Sequence, residues 1–178
     1  MRKKIIIGII LLMIILLGIF IYMNVSIETE YTPEAEIEDI EYRNTAISLY
    51  FQNKETKELQ IETRLIDSKE LLKNPYSTLI KLLLQGPESE SLESSVPTET
   101  KIISIVFEGE CLIVNLSKEF IDCAKESVAE KMNSIYSIVN TVTELKEVSS
   151  VKILIEGEEG KGFEADGIKF DNVFVRTK

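Results

Sequence analysis

Apolar positions along the chain come in two kinds of run. The first is a single block: residues 5–23 are 19 uncharged, almost wholly apolar residues. As a helix rising about 1.5 Å per residue, the block would be about 28 Å long, close to the ~30 Å hydrocarbon core of a bilayer. Every later run is short and periodic. Residues 46–51 are β-rich in composition and end at a polar Gln52-Asn53-Lys54 turn; residues 59–66 place Leu59, Ile61, Thr63 and Leu65 at period two. The two runs predict a hairpin. Asn74-Pro75 supplies an N-cap and an N1 proline, Tyr76, Leu79, Ile80 and Leu83 fall on one helical face, and Gly86-Pro87 ends the helix. A polar loop from 88 to 96, closed by Pro97, leads into strands at 101–107 and 111–116 around a Glu108-Gly109-Glu110 turn, a second hairpin. After a short helix or turn at 117–123, Val128, Met132, Ile135, Val139 and Val142 mark a long amphipathic helix, and residues 151–155 form a fifth strand.

The predicted order is β-β-α-β-β-α-β. Its last six elements follow a split β-α-β pattern, so the fold class expected is α/β (α+β): a single sheet with two helices packed on one face, preceded by one transmembrane helix. Alternation returns at Ile168, Phe170, Val173 and Val175, where the tail gains a possible edge strand.

Charge orients the block. Arg2, Lys3 and Lys4 precede it, while the next charges, from Glu28 to Glu41, are all acidic. The positive-inside rule then places the N-terminus in the cytoplasm and the rest outside. Tyr22-Met23-Asn24-Val25-Ser26 offers no good small-x-small cleavage site, so a retained anchor is expected rather than a cleaved signal peptide. Lipoprotein processing needs a cysteine just after the apolar core, and the first cysteine is Cys111. Residues 24–45, acidic and broken by Pro33, read as a linker, either a device that gives reach or a plain spacer. The organisation expected is therefore a basic tip and anchor at 1–23, a linker at 24–45, a folded domain at 46–160 and a tail at 161–178.

Composition removes several function classes. Of 30 acidic and 20 basic residues, three bases precede position 23, so the remainder carries 17 bases against 30 acids, a net charge of −13 that disfavours nucleic acid. There is no histidine, which rules out Ser-His-Asp and Cys-His chemistry and His-based metal sites. Two cysteines are too few for a four-thiolate site; Cys111 and Cys123 are either buried free thiols or a pair meeting across a β-α connection. Asp122 with Glu126, or Glu119 with Asp122, are the candidate acid-base pairs, though a chain this acidic produces such pairs by chance. Glu156, Glu158, Glu159, Asp166 and Asp171 offer oxygen ligands without the spacing of a calcium loop, so a solvated turn is expected there and no cofactor or metal is assigned. Gly86-Pro87 is read as a helix stop rather than a functional loop.

Leu49-Tyr50-Phe51, Leu82-Leu83 through Gln85-Gly86-Pro87, Val96-Pro97, Val114-Asn115-Leu116-Ser117 with Phe120, Asn140-Thr141-Val142-Thr143-Glu144-Leu145 and Val151-Lys152-Ile153 occur in the order seen in the GerMN domain of spore germination and sporulation proteins. Residues 46 to 160 resemble that family. The family often has Asp where Asn115 stands and Tyr or a similar residue near Asn140, and several members are lipoproteins or carry two copies of the domain. The resemblance implies a non-catalytic module, similar in fold to ring-building units that pack side by side outside a membrane. It implies as partners other proteins of a sporulation or envelope complex; self-association is expected only where the anchor tethers copies together, because a charge of −13 opposes it in dilute solution.

The function expected is thus protein-protein assembly in the cell envelope, without enzymatic activity. The candidate contact is a sheet edge at Val151, Ile153 and Ile155 or at Val173 of the tail. A binding module for a small ligand or a cell-wall polymer is the rival reading; the absence of Trp weighs against an aromatic sugar platform.

Overall fold

The computed structural model describes residues 13–17, 19–20, 44–125 and 127–177. The chain divides into two units, Met1–Glu41 and Tyr42–Lys178. In the first, residues 13–17 and 19–20 are helical. The rest of the expected anchor, and the linker up to residue 43, lie outside the described residues. Among the described residues no helix is long and apolar enough to cross a membrane.

The second unit is a mixed α+β fold. In chain order its elements are β1 (Asn44–Asn53), β2 (Leu59–Asp67), α1 (Ser68–Lys73), α2 (Pro75–Leu84), β3 (Leu92–Glu93), β4 (Ile102–Glu108), β5 (Cys111–Leu116), α3 (Glu119–Asp122), α4 (Val128–Val142), β6 (Ser150–Ile155), β7 (Gly162–Phe163) and β8 (Ile168–Lys169), with a 3-10 turn at Glu164–Asp166. The expected single sheet is instead two three-stranded sheets, β2-β1-β3 and β4-β5-β6, plus a small β7-β8 ribbon. Nor is the β-α-β unit split: β5 and β6 are parallel neighbours in register from Cys111↔Ser150 to Leu116↔Ile155. The division arises because β1 takes β2 along one edge and only the two residues of β3 on the other.

Helix α4 takes over that second edge at Tyr50. Thr141 Oγ1 accepts a hydrogen bond from the Tyr50 N–H at 3.1 Å, and Ser137 Oγ donates to the Tyr50 carbonyl. Both hydroxyl residues are fully buried, one turn apart on the helix, and do for one residue of β1 what a strand would do. Further along, Gln52 is buried with its amide satisfied on both sides: Nε2 donates to Glu93 at 2.9 Å and to Glu130 at 3.1 Å, while Oε1 accepts from Asn133 at 2.9 Å. Glu93 also takes Lys57 at 2.7 Å and Lys125 at 3.1 Å. Ser127 caps α4 by accepting from the Glu130 N–H, the first half of a Ser-x-x-Glu start signal that the periodicity alone did not disclose.

One apolar cluster serves the whole unit, running from Ile47, Leu49 and Phe51 of β1 through Leu79, Ile80 and Leu83 of α2, the inner faces of β5 and β6, and Ile135, Ile138, Val139 and Val142 of α4. Helix α2 starts at the predicted proline, but Asn74 makes no side-chain capping bond because it also terminates α1, with its N–H on the Glu70 carbonyl. Gly86, at φ 87°, ends α2 in the left-handed conformation that its sequence position demanded. The short helix α1 was not expected; Asp67 announces it by accepting from the Lys69 N–H. The tail is part of the fold rather than an appendage: Phe163 and Phe170 are buried and form, with Phe120 and Phe174, a cluster of tilted and edge-on rings at centroid distances of 5.6–6.0 Å. Gly162 admits no side chain, since an added Cβ would lie 2.2 Å from the Ile168 carbonyl.

The apolar alternation of β2 faces outward. Ile61 and Leu65 are 50% and 70% exposed, while Arg64, on the opposite face, is buried over the Phe51 ring, donating to Glu62 at 2.7 Å and to the Gly86 carbonyl at 2.6 Å. Glu62 in turn accepts from the Glu88 and Ser89 N–H groups, so this ion pair ties the loop after α2 to the sheet.

Two outcomes test this architecture. Thr141→Val keeps the shape but strands the buried Tyr50 N–H, and urea denaturation should show a loss of about 1–3 kcal/mol, against a smaller loss for Thr143→Val, whose hydroxyl bonds back to the Val139 and Asn140 carbonyls of its own helix. Glu93, held by Lys57 above all and then by Lys125 and Gln52, has its carboxyl lowered from 4.5 to about 2. A depressed acid contributes stability above its unfolded pKa and loses it as pH falls through the folded one. The stability advantage of the wild type over Glu93→Gln should therefore be constant above pH 4.5 and fade towards pH 2 in acid titrations followed by circular dichroism.

Candidate functional site

A cleft of about 1030 Å³ lies between β2, α4 and the C-terminal tail, within reach of polar side chains. Period-seven spacing on α4 supplies one wall, with Ala129, Asn133, Tyr136 and Asn140; Leu59, Gln60 and Ile61 of β2 supply the other. Tyr50 lies between them, and Arg176 and Thr177 close one end. The tail is fastened there by a polar knot. The Tyr50 hydroxyl donates to Glu144 at 2.8 Å, Arg176 bonds both Tyr50 and Glu144 and stacks 5.6 Å over the Tyr50 ring, and Asn140 holds Thr177 by its backbone and its hydroxyl at 3.3 Å each. Burial pushes the Tyr50 phenol above its ordinary value and the hydrogen bond to Glu144 adds to this, with Arg176 acting the other way. The phenol therefore stays protonated at neutral pH. Amides, hydroxyls and rings of this kind can hold a polar chain or ring; the knot's carboxylate is already committed to a guanidinium.

A second, smaller cleft of about 610 Å³ lies beside α3 and the β7-β8 ribbon, with Lys118, Lys131 and Lys161 facing Asp122, Glu156, Glu164 and Asp166. Lys131 is paired with Asp166 and Lys161 with Glu158 at 2.9 Å, so its charges largely answer one another.

The residues singled out from sequence separate in space. Val151, Ile153 and Ile155 are core residues with exposures of 0%, 0% and 1%. Their edge is closed at both ends: Val151 exchanges backbone hydrogen bonds of 2.7 and 2.8 Å with Phe174, and the Ile155 N–H donates to the Glu158 carbonyl. Val173 remains exposed beside the tail residue that makes the bridge. Glu119 and Asp122 share the single turn of α3, and Glu119, hydrogen-bonded first of all to Ser117, is held below the usual carboxylate range, the opposite of what a general acid needs. Glu126 lies outside the described residues. The oxygen-rich turn spends Glu159 on Lys152 at 2.7 Å, and among the described residues no three acids or cysteines cluster as metal ligands. Both cysteines are free; Cys111 is half-buried, but Cys123 is exposed rather than buried because α3 ends there.

Several polar residues of the recognised sequence pattern are, in contrast, engaged within the fold. Asn115 accepts from the Gly157 N–H at 2.8 Å and so sets the turn after β6. Ser117 exchanges bonds with Lys101, Thr141 serves Tyr50, and Glu144 secures the tail. Cross-chain partners of this sort leave no periodic trace, which is why sequence reading recognised the pattern without its purpose.

The profile of the Germane family, described as sporulation and spore germination, matches residues 48–161. Among solved structures, the chain is similar to a candidate lipoprotein from Clostridium perfringens, with 25% identity over 75% of this chain and 88% of that one and a TM-score of 0.51. It is also similar in fold to the tandem GerMN domains of the sporulation protein GerM from Bacillus subtilis, with 20% identity, 76% of this chain covered and a TM-score of 0.60. That match spans 46% of the tandem structure. The first GerMN domain of the same protein matches with 18% identity over 65% of this chain and 85% of that one at a TM-score of 0.54. No curated protein matches the chain significantly. With the profile extending over most of the folded unit, the chain belongs to the Germane family of sporulation and spore germination domains.

Proposed function

We propose that this protein is a non-catalytic assembly module, held outside a membrane by its N-terminal apolar segment and working within a sporulation or spore germination envelope complex. The observation that carries the reading is the use made of the pattern's polar residues. Asn115, Ser117, Thr141 and Glu144 hold turns, strands and tail together, so what they preserve is a shape. A shape is the requirement of a building block rather than of a catalyst. Membership in the family supports the setting, and the basic cluster before residues 5–23 with the acidic stretch after it supports the orientation. The similarity to a candidate lipoprotein agrees with a place at a membrane.

The cleft beside the tail favours a second reading, a binding module for a small polar ligand or a cell-wall polymer, because Gln60, Asn133, Asn140 and Tyr136 line an open concavity.

One experiment separates the two. Full-length protein in sporulating and vegetative cells should be digested by protease added to intact protoplasts, should crosslink to other envelope proteins, and should show no turnover of wall polymer. Protection of the folded unit would overturn the orientation. Turnover abolished by one carboxylate substitution would overturn the non-catalytic reading, and retention on purified wall polymer without any protein crosslink would favour the binding module.

A further inference from the structure

The sheet edges differ in how they are defended against pairing with another chain. Strand β6 is partly closed, at its two ends, by Phe174 and Glu158, β3 is two residues long, and β4 is interrupted by a bulge between Ile102 and Ser104. Strand β2 has none of these devices. It is nine residues long, pairs with β1 in unbroken register and contains neither proline nor lysine. Because the Tyr50 N–H and C=O turn to α4, the Tyr50–Ile61 pair is of the type not hydrogen-bonded within the sheet. With period two, Ile61, Thr63 and Leu65 therefore all aim their N–H and C=O groups away from β1, and no described residue bonds to them.

The strand is also complementary to itself. An antiparallel copy centred on Thr63 sets Thr63 opposite Thr63, Ile61 opposite Leu65, and Glu62 opposite Arg64. The two most exposed apolar side chains of the strand would then cover one another, and the Glu62 and Arg64 positions, already paired within each chain, would face each other without setting like charges opposite. Charge points the same way. Strand β2 carries Glu62, Arg64 and Asp67, a net of −1, whereas the chain after residue 23 carries 17 bases against 30 acids. Along this edge two strongly acidic copies meet with far less repulsion than their overall charge implies.

We propose that β2 is a homotypic interface: two copies of the chain pair antiparallel along β2 about a two-fold axis at Thr63, joining their β2-β1-β3 sheets into one six-stranded sheet. The proposal rests on the assembly reading and names the partner as a second copy. Confinement to one membrane surface supplies the effective concentration for so small a contact.

Full-length chain carrying Cys111→Ser and Cys123→Ser is expressed in cells with Thr63→Cys, and membranes are mildly oxidised. Opposed residues of a hydrogen-bonded antiparallel pair stand about 5.5 Å apart at Cα, within disulfide range. The expected product is a homodimer as the main crosslinked species, absent from a Val106→Cys control on the outer face of the other sheet and lost when Ile61→Lys is added. Equal crosslinking of the control, or survival of the dimer with Ile61→Lys, overturns the pairing. A Thr63→Cys adduct to a different protein overturns self-pairing while leaving the assembly reading in place. So does the absence of any Thr63→Cys adduct when amine-reactive crosslinking still joins the wild type to envelope proteins. A Thr63-linked homodimer in cells where no other envelope protein crosslinks supports the pairing and removes the complex.

Discussion

Everything in the folded unit turns on one unfinished edge. Strand β1 lies inside the molecule yet has a strand partner along the whole of only one side, with two residues paired on the other, and a buried peptide group without a partner is costly. The chain answers with a helix rather than a strand: Ser137 and Thr141 present hydroxyls to Tyr50, and Asn133 reaches Gln52. Once α4 is fixed in this way, its apolar stripe seals the core, its outer row becomes a wall of the cleft, and its far end offers Glu144 to the tail. The sheet divides in two for the same reason, since the place a central strand would occupy is filled by a helix.

How much of this is legible in sequence depends on whether a feature is local. The proline start and glycine stop of α2, the hairpin through Gly109 and the apolar stripe of α4 depend on neighbours within a few residues, and each stands where periodicity and turn chemistry place it. The number of sheets does not. It is decided by contacts such as Tyr50 with Thr141, 91 residues apart, for which Ser and Thr on a helix give no distinctive sign. The face of β2 illustrates the same limit. Alternating Leu59, Ile61 and Leu65 announce a strand, but Arg64, stacked on Phe51 and tied to Glu62 and Gly86, takes the inner face and sends the aliphatic side chains to solvent. A paired and hydrogen-bonded guanidinium competes for the interior on terms that a hydropathy pattern does not contain.

The candidate edge at β6 answers to two demands at once. Val151, Ile153 and Ile155 are apolar because they fill the core, and the same strand's backbone is partly closed by Phe174 and Glu158. The polar residues of the family pattern were recognisable as a set, yet their duties became evident only once Asn115 was seen to hold the Gly157 turn and Glu144 the tail.

The fastening of the tail also constrains the order in which the protein can come into being. Phe163 and Phe170 complete the core, and Arg176 grips Tyr50 across 126 positions of sequence. A nascent chain that has emerged only as far as α4 lacks the aromatic plug that roofs Phe120, and its first strand has no clamp at the tyrosine. Such a chain has neither the complete aromatic cluster nor the tyrosine clamp, so the folded unit is finished only when the tail joins it.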